Sequence, residues 1–246
     1  MFAYGSVGLS LIEFAAEEKK SIAFVGIKKE DPYKDLISDV CANFGIRIIE
    51  VDNINDKKSL LALKKEKIDL GFLLWWPDIV KEDTIKIVKK GFVNLHPSLL
   101  PFNRGMHPYY WSIVDKTPAG VSLHFINKEI DAGEIIAQEE IQTDITFTGE
   151  KLYHIAAKKI ISLFKRNYAS ILGGKITCTS VDTSQGTFHL KKELDDHSEI
   201  ILQRKYKAGD LLDIIRGRTF TSGPSAFFYK DGKKYNVRVH IEEEVD

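Results

Sequence analysis

In the first half of the chain, short apolar runs alternate with stretches in which apolar side chains recur every three or four positions among charges. Phe2–Tyr4, Ile22–Ile27, Ile46–Val51 and Leu70–Trp76 read as strands, and Tyr33–Phe44, with Leu36, Ile37, Val40 and Cys41 at helical spacing, reads as a helix. Pro77 stops the fourth strand, Asp83–Lys90 offers Ile85 and Val88 as a stripe on a charged helix, and Phe92–Leu95 begins another strand. Two more strands, Ala119–Phe125 and Glu134–Gln142, flank a turn-like Asn127–Gly133. The helix Leu152–Phe164 follows, with Leu152, Ile155, Ala156, Ile160 and Leu163 on one face, and Gly173 and Gly174 end it. Beyond that point the texture changes to short strands, Gly186–Leu190 and Ala226–Tyr229, then an alternation of Tyr235, Val237, Val239 and Ile241 after an Asp231-Gly232 hairpin turn. The expected architecture is α/β. Residues 1–180 form a Rossmann-like, mostly parallel sheet with helices on both faces, and residues 181–246 form a small β-rich C-terminal subdomain.

Composition narrows the partners. With 246 residues, 43% of them hydrophobic, the chain can bury one sizeable core and a small appendage. Lys+Arg and Asp+Glu each number 35, so there is no overall basic field to hold a polyanion, and nucleic acid is not an expected partner. Cys41 and Cys178 have neither metal-ligand spacing nor a disulfide pattern; no metal is expected, and a reducing cytoplasm fits. The N-terminal apolar stretch ends at Phe14 without a basic leader, and no segment approaches the ~20 apolar residues of a membrane span.

Most of the chemical information lies between Gly91 and Gln142. Asn94 and His96 are two apart at a strand end, so alternation points both side chains to one face, and Pro97 breaks the strand immediately afterwards. In open parallel sheets the ligand crevice lies beyond the carboxyl ends of the strands, which is where this pair sits. Asp131 arrives from a separate connection, in the turn IDAGE, where Gly133 allows close backbone approach. An imidazole, an amide and a carboxylate can together shuttle a proton, stabilise an oxyanion and orient the ring. Spacing alone also fits two strand-end hydrogen-bonders and a turn residue, and leaves both readings open.

The succession NLHPSLLP, then RG, then DAGEI resembles the formyltransferase family that uses 10-formyltetrahydrofolate, which includes methionyl-tRNA, glycinamide ribonucleotide and sugar-nucleotide N-formyltransferases. The resemblance covers the chain to roughly Gln142. It implies that Asn94 is the oxyanion-stabilising asparagine, His96 the catalytic histidine and Asp131 the aspartate paired with it. The segment LLWWPD, Leu73–Asp78, resembles the one whose backbone holds the pterin ring, which implies cofactor contacts at Trp76, Pro77 and Asp78. Ile126, Asn127 and Ile130 would form the opposite wall. Trp75 and Trp76 depart from the usual aliphatic pair, and adjacent tryptophans at a strand end also fit a packing role.

The same resemblance places Asn103, Arg104 and Gly105 beside the substrate, where the planar fork of Arg104 could meet a diphosphate. His107-Pro108-Tyr109-Tyr110-Trp111 is similar to the pattern of sugar-nucleotide N-formyltransferases, although His107 also fits a helix start. The implied substrate is a nucleotide-linked amino-deoxysugar such as dTDP-4-amino-4,6-dideoxyglucose, whose product would feed a surface polysaccharide such as a lipopolysaccharide O-antigen. Two alternatives stand beside it, a methionyl-tRNA formyltransferase-like enzyme and a non-catalytic folate or nucleotide-sugar binder. The first is disfavoured by the zero net charge and by the acidic tail Glu242, Glu243, Glu244 and Asp246. Gly5-Ser6-Val7-Gly8 lacks the asparagine of a glycinamide ribonucleotide phosphate loop. Tyr235, Val237 and Val239 supply an apolar strand face that either pairs subunits or packs on the main domain; a homodimer is the expectation.

Overall fold

A computed structural model describes residues 1–18, 20–223 and 225–244; Asp246 of the acidic tail lies outside them. The chain resolves into two compact units. One holds Met1–His96, Ser122–Gln138 and Ile160–Val181, the other Pro97–Val121, Glu139–Lys159 and Asp182–Asp246.

The first unit opens with β1 (Phe2–Ala3), α1 (Gly5–Glu17), β2 (Val25–Lys28), α2 (Lys34–Asn43), β3 (Ile48–Val51), α3 (Lys57–Lys65), β4 (Gly71–Leu74), α4 (Glu82–Ile85) and β5 (Phe92–His96). With β7 (Ala119–Phe125) and β8 (Ile135–Ile141), these strands form a seven-stranded sheet in the order β3-β2-β1-β4-β5-β7-β8. The pairs from β3 to β5 are parallel, and β5 pairs with β7 antiparallel. All four residues of β2 and of β4 are buried, as befits strands covered on both faces. α1 buries Val7, Leu11, Ile12, Ala15 and Ala16, one stripe at helical spacing. α3 starts where the Asp56 carboxylate accepts from Ser59 N at 2.7 Å, and carries Lys64 and Lys65 in its last turn, where the helix dipole favours them.

Most element ends lie a few residues from the sequence reading, and two of the differences have a local cause. The fourth strand ends at Leu74 rather than Trp76, because Trp75 takes a left-handed conformation (φ 62°) that a strand cannot continue through. The helix expected over Asp83–Lys90 is α-helical only to Ile85. Ile87 and Val88 donate three residues back, to Thr84 and Ile85, so the segment tightens into turns.

The second unit holds β6 (Arg104–Gly105), α5 (Pro108–Val114), β9 (Phe188–His189), α7 (Lys191–Ser198), α8 (Ala208–Gly217) and the hairpin β10 (Ala226–Lys230) with β11 (Lys233–Val237). The long helix α6, Gly149–Leu172, extends beyond the expected Leu152–Phe164 at both ends. The hairpin turn is Asp231-Gly232 as expected, both with positive φ (52° and 72°). After residue 181 the structure adds two helices to these short strands. The sequence hid α7 because KKELDDHS buries only Leu194 and Ser198, too little for an apolar stripe. α8 is anchored by a buried ion pair: Arg216 Nε donates to Asp213 Oδ1 at 2.7 Å, while its Nη1 reaches the Phe147 carbonyl at 2.8 Å.

Candidate active site

Asn94 and His96 sit at the carboxyl end of β5, and the antiparallel register sets Asn94 opposite His124 and His96 opposite Ser122 of β7. Asp131 comes from the connection between β7 and β8. That loop is closed by Phe125 N donating to the Glu134 carbonyl at 2.9 Å, and Asp131 itself is left-handed, φ 49°. Gly133 lies so close beneath the strand that a Cβ would fall 1.8 Å from the Phe125 carbonyl oxygen, so only glycine fits. Strand and loop thus bring together the three groups that the sequence separates. Asp131 Oδ2 lies 3.5 Å from His96 Nδ1, and Asp131 Oδ1 lies 3.5 Å from Asn94 Nδ2. His96 and Asp131 side chains are only 7% and 11% exposed, so their charges act through little water.

A fourth group, His124, was not singled out from sequence, although the alternation in Ser122-Leu123-His124 could have placed it on the face of Asn94 across the strand pair. It is fully buried. Its Nδ1 lies 2.8 Å from the Phe125 carbonyl, which can only accept, so Nδ1 carries the proton and Nε2 keeps its lone pair. Nε2 therefore accepts from Asn94 Nδ2 at 3.2 Å, which fixes which way the Asn94 amide faces. Burial, reinforced by the His96 charge against an opposing pull from Asp131, pushes the His124 imidazole down to about 4, so it is neutral at physiological pH. The 3.6 Å approach of His124 Nε2 to Asp131 Oδ1 is then a contact between two acceptors rather than an ion pair.

The residues assigned by resemblance to the pterin site occupy varied environments. Trp76 is core: its ring packs edge-on to Phe2 at 5.3 Å, in a cluster that Ile126 also packs against. Pro77 is exposed. The Asp78 carboxylate is engaged by Lys28 Nζ at 2.9 Å and by Ile54 N at 3.3 Å. Asn127 shapes the loop, donating to the Ala132 carbonyl at 3.0 Å and accepting from Glu129 N at 2.9 Å; Ile130 is half-buried.

Among the residues assigned to substrate, Asn103 is buried and left-handed (φ 54°). Its Nδ2 donates to Thr117 Oγ1 at 2.9 Å and its Oδ1 accepts from Thr187 Oγ1 at 3.0 Å, so it braces the segment before Arg104. Arg104 and Gly105 form β6, paired in parallel with Phe188 and His189. The Arg104 guanidinium lies over the Phe188 ring at 5.6 Å, and its buried Nε has no hydrogen-bond partner among the described residues. His107 N-caps α5 in a left-handed conformation (φ 58°), with Nδ1 3.0 Å from the Tyr109 hydroxyl. Burial first, and then the Arg218 and Lys191 charges, lower its pKa.

The formyl transferase family model matches residues 15–165, and the model of the N-formyltransferase dimerization C-terminal domain matches residues 193–243. The bifunctional polymyxin resistance protein ArnA of Wigglesworthia glossinidia brevipalpis is 33% identical over 186 residues, 74% of this chain but 27% of that protein, so the chain spans about a quarter of its curated relative. A 4-N formyltransferase from Francisella tularensis is similar over 99% of this chain and 98% of its own (25% identity, TM-score 0.79). The formyltransferase PseJ from Anoxybacillus kamchatkensis, solved with UDP-4,6-dideoxy-4-formamido-L-AltNAc and tetrahydrofolate, is similar over 70% of this chain and 87% of its own (26% identity, TM-score 0.56). The family model spans more than half of the chain and takes in Asn94, His96, His124 and Asp131, and the chain belongs to the formyl transferase family.

Proposed function

We propose that the protein transfers the formyl group of 10-formyltetrahydrofolate to the free amine of a nucleotide-linked amino-deoxysugar. The observation that carries this reading is the convergence of Asn94, His96 and Asp131 at the end of β5. The substrate's neutral amine attacks the formyl carbon; Asn94 and protonated His96 hydrogen-bond the oxygen as it gains charge, and Asp131 holds the His96 ring. As the intermediate collapses, the bond from the formyl carbon to N10 breaks, and the proton lost by the attacking nitrogen passes, through His96 or water, to N10 of the departing tetrahydrofolate. Donors aimed at an oxyanion contribute roughly 10²–10³ in rate each. Both Asn94 amide hydrogens face protein acceptors, and the longer contact, to Asp131 at 3.5 Å, is the one released to a developing oxyanion. Trp76, Pro77, Asp78, Ile126, Asn127 and Ile130 belong to the folate side of this reading, and Arg104, Gly105 and His107 to the substrate side, with Asn103 bracing Arg104.

A glycinamide ribonucleotide reading is disfavoured by the start of α1, where the buried Asp31 carboxylate already accepts from Gly5 N at 2.9 Å; a phosphate there would meet a like charge. A division at residues 180 and 181 into a catalytic part and an appended part, a homodimer, a cytoplasmic location and a product destined for a surface polysaccharide complete the proposal. No described helix is long and apolar enough to cross a membrane, and no metal-holding cluster occurs among the described residues. The test is incubation with 10-formyltetrahydrofolate and a panel of dTDP- and UDP-amino-sugars, with EDTA present, read by product mass. A gain of one formyl group on one sugar is expected. Binding of both ligands without acylation would favour a non-catalytic binder, and loss of turnover on chelation would overturn metal independence.

A further inference from the structure

Arg218 terminates α8, and its backbone N–H donates to the Ile214 and Ile215 carbonyls. The residue is 7% exposed. Its Nε is fully buried with no hydrogen-bond partner, and no carboxylate forms a salt bridge with the guanidinium among the described residues. The neighbouring Arg216 shows what a structural arginine looks like here, with Asp213 and two backbone carbonyls satisfying its fork. A buried guanidinium nitrogen without a partner costs stability, and burial lowers the pKa of the group.

The surroundings add positive charge and donors. Gly217 lies against Tyr110 of α5, close enough that a Cβ would meet the ring at 2.9 Å, which brings the end of α8 to the helix that His107 caps. The Arg218 charge acts on His107, Tyr109 and Tyr110, and Lys191 adds to the positive charge felt by His107. Asp195, an exposed residue of α7, opposes it through space without a salt bridge.

We infer that Arg218, at the end of α8 where Gly217 packs on Tyr110 of α5, is an anion-binding residue that takes a phosphoryl group of a diphosphate. The identification of that diphosphate with the nucleotide sugar rests on the function proposed above. The missing counter-charge is supplied by the ligand, and a planar fork suits phosphoryl oxygens.

The probe is inorganic pyrophosphate, followed by dTDP, titrated against the full chain without folate. Wild type is expected to bind pyrophosphate and to gain thermal stability from it. Arg218→Met should weaken both ligands at least tenfold while leaving the ligand-free Tm unchanged or raised, because an uncompensated buried charge has been removed. A structural arginine would behave oppositely, with a lower ligand-free Tm and unchanged ligand affinity; that result overturns the inference, as does a wild type that binds no pyrophosphate. Should Arg218→Met not fold, Arg218→Lys keeps the charge and loses the fork. It should bind pyrophosphate several-fold more weakly, and equal affinity counts against the proposal. Arg218-dependent binding of pyrophosphate without any sugar formylation would leave this site standing and sink the proposed function instead, so the two readings fail separately.

Discussion

The chemistry of the site rests on protonation states that packing sets one side chain at a time. If His96 is the acid–base group, His96→Asn should keep affinity for both ligands and lower turnover by at least ~10²-fold. Steady-state kinetics decide this, and a nearly unchanged rate removes His96 from its role. His124 makes a different prediction. Its folded value, about 4, lies below the ordinary 6.5, so between those values the unfolded chain binds a proton that the native state refuses. The stability it contributes is complete above pH 6.5 and is lost as the pH falls towards 4, on the order of 3 kcal/mol in all. His107 and His197 are shifted in the same direction, so the informative quantity is the difference from His124→Gln. Urea midpoints between pH 7 and 4.5 should fall less steeply for that variant; parallel curves would show that His124 titrates normally.

Elements position these side chains, and the loop between β7 and β8 has the least tolerance. A Gly133→Ala methyl would fall 1.8 Å from the Phe125 carbonyl, so the loop that carries Asp131 has to move. We expect a stability loss of about 1–3 kcal/mol, as for overpacked sites, together with a fall in turnover per folded molecule, since Asp131 leaves its place. Denaturant midpoints and rates on one preparation check it; a wild-type rate would mean that Asp131 tolerates displacement. The element scale also shows what the sequence made legible. The strands β1 to β5, the Asp231-Gly232 turn and the shared face of Asn94 and His96 followed from apolar runs, turn chemistry and alternation, whereas joining Asp131 to that pair needed the resemblance to a known family. The left-handed Trp75 did not, because nothing local marks a tryptophan for positive φ. α7 was hidden by its polar sequence, and the bracing of Asn103 by Thr117 and Thr187 joins residues too distant for any local pattern. His124 was within reach of alternation once β7 was set beside β5, but that pairing is a tertiary fact.

At the scale of the whole molecule, the homodimer proposed above would use the hairpin β10–β11. Tyr229 and Tyr235 are exposed at 52% and 44%, and Tyr235 stacks on Phe228 at 5.2 Å within the region matched by the dimerization domain. Tyr235→Glu should shift a dimer to monomer in light scattering; an unchanged mass would place the subunit contact elsewhere. β5 has a parallel neighbour on one side and an antiparallel one on the other, and it meets β7 with Asn94 opposite His124. A slip of one position along β7 would turn His124 to the opposite face and leave the Asn94 amide free to rotate, without dismantling any strand. Such a molecule would give a native circular dichroism spectrum and do no chemistry, so the specific activity of a preparation counts the sheets that were zipped in the right alignment.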